Sequence, residues 1–296
     1  MNSKDLIERE KPYIDEICNK YNYDSNITHL LHIIIPAFIL KYGISKEKLI
    51  LNTFKDIKII NSNEENNMVK AYYYSTPIKI DNEIKTNKTM VINNYNNISL
   101  VDLLDNLVHE FNHALNSYIN EIYISSKYIY LRTGLTYRVY SKENLKFIKK
   151  DSSFILEEII NTKQTNDIIN IIKEFDSSDN TIYAINSETK DKYKSNSYYL
   201  QSYVCKEILE NKTFISTLEN LRINGEVYDI RKWFDDIIGK EGTYKELIHL
   251  LEEVYNLEIE YTKKKWFKTF IISKIRDKSS RIMEIVRKFN NNVNFK

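Results

Sequence analysis

The stretch "ISLVDLLDNLVHEFNHALNSYIN", residues 98–120, reads as one amphipathic helix. Leu100, Leu104, Leu107, Phe111, Ala114, Leu115 and Tyr118 recur at helical spacing and form an apolar stripe. Ser99 is placed to cap the helix, and Asp102 stands where a capping-box partner belongs. The opposite side carries Asp102, Asp105, Asn106, His109, His113, Asn116 and Asn120.

On that polar side is "HEFNH", residues 109–113, with two of the five histidines in the chain. Residues four apart share a helix face, so His109 and His113 can offer two imidazole nitrogens to one metal ion. Glu110 is offset by about 100° round the helix. That offset keeps it out of the ligand set and lets it reach a water instead. The competing reading is an ordinary solvated helix face. In a two-lobed protein the same face can line a cleft.

A catalytic zinc site takes three protein ligands. Glu121 lies two turns beyond His113, about 12 Å along the axis if the helix continues, too far to share an ion. Glu143 stands in a lysine-rich connector. Glu157 and Glu158 fall in the first turns of a second amphipathic segment, "SSFILEEIINTKQTNDIINIIKEF" (152–175). Ile155, Leu156, Ile159 and Ile160 centre its apolar side about midway between the flanks of these two glutamates. Periodicity therefore leaves both open.

The pattern resembles the zincin metallopeptidases of the gluzincin type, over about residues 54–210. "TMVINNY" (89–95) looks like the edge strand that pairs with substrate backbone. HEFNH looks like the active-site helix motif. "LEEIINT" (156–162) is similar to the segment that carries the third ligand. The resemblance implies His109, His113 and Glu158 as ligands of one Zn²⁺ and Glu110 as general base in peptide-bond hydrolysis. It also implies an oxyanion donor, for which Tyr198 and Tyr199 are the candidates, and a peptide or protein substrate. One position departs. The acid expected four residues after the ligand, where it would orient a zinc-bound histidine, is Thr162. That departure leaves a metal-binding or partner-binding zincin-like domain without strong catalysis as the alternative.

Residues 4–21 and 26–42 read as helices, the second bent by Pro36. "FKDIKII" (54–60), "VKAYYYSTPIKI" (69–80) and "KTMVINNY" (88–95) read as three consecutive antiparallel strands. "IYISSKYIYL" and "LTYRVY" read as extended. Beyond residue 175 the pattern is mostly helical: 195–211, 213–222, 230–238, 243–256 and much of 262–290. The expected architecture is α+β and zincin-like: a small, mostly antiparallel sheet packed on the HExxH helix, with a helical C-terminal lobe. The divisions expected are a helical segment over 1–50, the metallopeptidase core over 51–210 and the lobe over 211–296.

The remaining features exclude more than they propose. A net charge of +2 gives no overall pull toward nucleic acid. "KKKWFKTFIISKIRDKSSRIMEIVRKF" (263–289) is basic and amphipathic, and a terminal helix packed on the domain is its plain reading. His29 and His32 lie in an apolar helix where no nearby carboxylate is expected, and His249 in another amphipathic segment; all three read as packing or surface residues. "ITHLLHIIIPAFIL" (27–40) is too short to span a bilayer. Cys18 and Cys205 have no metal-like spacing and imply reduced thiols. A cytoplasmic location is expected.

Overall fold

The structure is a computed structural model that describes residues 3–62, 70–93, 97–150, 153–176, 212–227, 230–263 and 268–293. It is α+β, and these residues form two compact units. One holds the described residues up to Tyr118 together with those from Gln164 to Asp176; the other holds Ile119–Lys163 and the described residues from Lys212.

In the first unit, α1 (Ser3–Tyr21) precedes α2 (Ser25–Tyr42). The Asp24 carboxylate accepts the Asn26 and Ile27 amides at 2.9 and 3.0 Å and so caps α2. α2 continues through Pro36 and stops at Gly43, whose φ of 88° suits glycine alone. A 3₁₀ turn (Ile44–Lys46) leads into α3 (Glu47–Asp56). This helix overlaps the segment expected to begin the first strand. Ile50, Thr53 and Phe54 recur at helical spacing and are buried, which is why residues 54–56 finish a helix. The strand β1 starts only at Lys58 and runs to Ser62.

β2 (Ala71–Ile80) and β3 (Glu83–Asn93) form a hairpin. Its two turn residues, Asp81 and Asn82, have φ of 50° and 64°, the left-handed pair that matches strand twist. The strand order is β1-β3-β2, with β1 parallel to β3. This corrects two expectations. The three strands are not all antiparallel, and "TMVINNY" does not supply an edge strand. β3 is central, and residues 89–93 are all buried, the pattern of a strand covered on both faces. Its apolar run reflects that position. The edge beside it is β2.

α4 (Leu100–Leu115) packs against β2 and against α3. Phe54 stacks on Phe111 at 3.9 Å between ring centroids, and Phe38 meets Phe54 edge-on at 5.4 Å. α2, α3 and the HEFNH helix therefore share one aromatic core.

In the second unit, β4 (Ile122–Ile124), β5 (Tyr128–Thr133), β6 (Thr136–Ser141) and β7 (Phe147–Lys150) make an antiparallel meander. The first turns of α5 (Phe154–Asp176) pack with α6 (Lys212–Asn224), α7 (Ile230–Ile238), α8 (Thr243–Lys263) and α9 (Lys268–Val293). Leu156 and Ile160 of α5 join Phe214, Phe234, Leu251 and Phe289 in that core. Phe289 shows that the basic terminal segment packs on its unit through its apolar side. No single helix among the described residues is long and apolar enough to cross a membrane.

Phe111→Ala should remove the stacked partner of Phe54 and lower unfolding stability by about 3–5 kcal/mol, read by urea denaturation of the apo protein.

Candidate metal centre

The metal helix starts where its cap predicts. Ser99 Oγ accepts the Asp102 amide at 3.1 Å and donates to the Asp102 carboxylate at 2.7 Å. It ends earlier than residue 120. The Asn116 side-chain amide donates to the Asn112 carbonyl at 2.8 Å, and Ser117 Oγ donates to the His113 carbonyl. These side chains satisfy carbonyls that a further turn would have used. Glu121 consequently lies past the helix, and Glu143 is exposed.

The polar side of α4 is buried toward its C-terminal end. Asn112 and Asn116 are fully buried, and His113 and Glu110 are 6% and 8% exposed. Buried amides need partners. Asn112 donates to Gln164 of α5 at 3.1 Å and accepts from the Tyr42 hydroxyl at the end of α2. Asn116 donates to Tyr42 at 3.3 Å. Lys41 pairs with Asp167 at 2.6 Å. This polar seam fixes α5 along α4 in the first unit.

At the start of α5 the two glutamates part company. Glu157 is 1% exposed and its carboxylate is fully engaged. It accepts Arg222 Nε at 2.9 Å, Arg222 Nη2, and the Leu135 amide at 2.8 Å. Arg222, itself fully buried, also donates to Asn161 at 3.2 Å. Gly134, at φ 56°, leaves room for this carboxylate: a Cβ there would sit 2.0 Å from Glu157 Oε2. Arg132 holds the same turn, donating to the Gly134 carbonyl at 2.8 Å and the Arg222 carbonyl at 3.1 Å.

Glu158, 8% exposed, lies on the next phase of the helix. One of its carboxylate oxygens and one ring nitrogen each of His109 and His113 all lie within 4.8 Å of one another. The two rings stand 4.9 Å apart at 81°. Donors round a tetrahedral zinc stand roughly 3.4 Å apart, so small side-chain shifts close the set. Two imidazoles and a carboxylate suit zinc, whereas calcium or magnesium prefers oxygen alone. The residues present fit the ion.

Glu110, on the same helix, accepts the Tyr73 backbone amide of β2 at 2.6 Å. That amide therefore points away from β3, toward the free side of the edge strand. Pro77 stands in the same phase of β2 and lacks an N–H, as an edge strand permits. The proline was a legible sign of the edge that the sequence reading passed over. Arg222 and Gln164 were missed as well, because a partner fifty or more residues away leaves no local signal.

Thr162 is 3% exposed, and its hydroxyl has no hydrogen-bond partner among the described residues. Tyr198 and Tyr199 lie outside the described residues. His249 is exposed beside Glu253, His29 is exposed, and His32 pairs with Asp15 at 2.9 Å, all surface positions.

Glu158→Ala should abolish stoichiometric zinc binding, measured as metal content after dialysis. Glu157→Gln should keep the metal but leave Arg222 buried without its counter-charge, at a cost of roughly 3–5 kcal/mol in stability. The opposite pattern would exchange the two assignments.

Comparison with protein-family models, curated proteins and solved structures finds no match for this chain.

Proposed function

We propose that this chain is a zinc-dependent peptidase in which His109, His113 and Glu158 hold one Zn²⁺ and Glu110 is the general base. The observation that carries the reading is the convergence of those three donors beside a glutamate placed one residue after the first histidine. When bound, the ion polarises a carbonyl and makes a water easier to deprotonate.

The chain's own residues supply the rest. Glu110 takes the proton of the attacking water and passes it to the leaving amine. The Tyr73 amide holds its carboxylate in one orientation. β2 is the edge of its sheet among the described residues, where an extended peptide would add as a further antiparallel strand. The substrate class is thus a peptide or an extended protein segment. Tyr198 and Tyr199 remain the proposed oxyanion donors. A reducing, cytoplasmic setting fits Cys18, a buried free thiol.

A second reading is a zincin-like domain that holds metal without hydrolysis. Thr162 favours it, since no carboxylate stands where the resemblance expects one.

Wild type and Glu110→Gln should be compared on a broad peptide panel, with metal content measured for both. The peptidase reading expects cleavage by wild type and a loss of roughly 10²- to 10⁴-fold in Glu110→Gln, with zinc retained. Equal cleavage by both proteins overturns it. Bound zinc with no cleavage by either selects the second reading.

A further inference from the structure

A zinc-bound imidazole nearly always donates its other ring N–H to a carboxylate, a carbonyl or a water, which fixes its tautomer and aim. The resemblance would place that carboxylate at Thr162, whose hydroxyl makes no hydrogen bond among the described residues.

A carboxylate does stand on the other side of His109. Asp105 is one turn earlier on α4, and helical side chains lean toward the N-terminus, so the His109 ring lies over the Asp105 turn. Asp105 is half-buried, and its Oδ1 is buried with no hydrogen-bond partner among the described residues. Such an oxygen is costly unless a donor reaches it. Burial pushes the Asp105 carboxyl above the usual range; His109 pulls against that, as does Lys70 more weakly, and Asp102 adds to it. Of these groups His109 is the donor carried one turn away on the same helix. Asn106 also has a buried amide nitrogen without a partner, but neighbours in sequence do not face one another on a helix.

We propose that Asp105 is the positioning residue of the metal centre: it accepts the second ring N–H of His109 and takes over, from the N-terminal side, the role vacated at position 162. The proposal rests on the metal centre described above.

The test is zinc affinity of the full chain, by competition with a chelating dye, together with the visible spectrum of the Co²⁺-substituted protein. Asp105→Asn is expected to weaken zinc by roughly ten- to hundred-fold and to alter the Co²⁺ bands, without lowering the melting temperature of the apo protein. Asp102→Asn, which removes an exposed carboxylate from the same helix, should change neither. Adding Thr162→Asp to Asp105→Asn should restore affinity by supplying a carboxylate from the other side. If wild type binds zinc, His109→Ala loses it and Asp105→Asn binds as tightly as wild type, the Asp105 assignment falls and the metal centre stands. If affinity falls only in step with apo stability and Thr162→Asp does not rescue it, Asp105 is structural and the assignment falls. If wild type binds no zinc, or His109→Ala binds equally well, the metal centre falls and the assignment with it.

Discussion

Arg222 grips Glu157 where almost no water reaches either group. Such a pair contributes little net stability, because desolvation of both charges offsets their attraction. Its value is directional. Glu157 can satisfy the guanidinium only from one side of α5, and the Leu135 amide and the space over Gly134 admit it from that side alone. Adjacent residues on a helix diverge by about 100°. Once Glu157 is committed, Glu158 must point elsewhere, and elsewhere is toward His109 and His113. The ion pair therefore sets which of the two carboxylates stands near the two histidines.

A second constraint comes from the far end of the same contact. The C-terminal part of α4's polar side is buried, so Asn112 and Asn116 need partners there. Asn112 sits inside HEFNH and is fully buried. It joins Gln164 and Tyr42, and Asn116 joins the same hydroxyl. A variable position of the motif is thus occupied by the residue that registers α5 against α4.

The parts legible in the sequence were those with local causes. Ser99 and Asp102 marked the start of α4 through one turn of chain. The apolar spacing of 152–175 anticipated α5 at Phe154–Asp176. HEFNH set two histidines side by side, because helical geometry alone brings them together. Non-local causes were silent. Alternating side chains do not state which strand lies beside which, so the parallel β1–β3 pair and the central place of β3 were out of reach. The choice between Glu157 and Glu158 was balanced by periodicity because both flank the same apolar stripe. What broke the tie was an arginine 65 residues away, visible only once α6 is packed.

The site departs from its resemblance in one residue, and the departure changes where its support comes from. With Thr162 in place of an acid, α5 contributes a ligand but no carboxylate to orient a histidine. Glu110, the proposed general base, is braced instead by the edge strand, through the Tyr73 amide, and α4 carries its own acid at Asp105. Both supports act on α4 from within the unit that holds it: one from β2, one from the preceding turn. Loss of the acid at 162 is therefore a different matter from loss of orientation. The imidazole needs an acceptor, and a helix that repeats its face every turn can present one four residues earlier as readily as a neighbouring helix can.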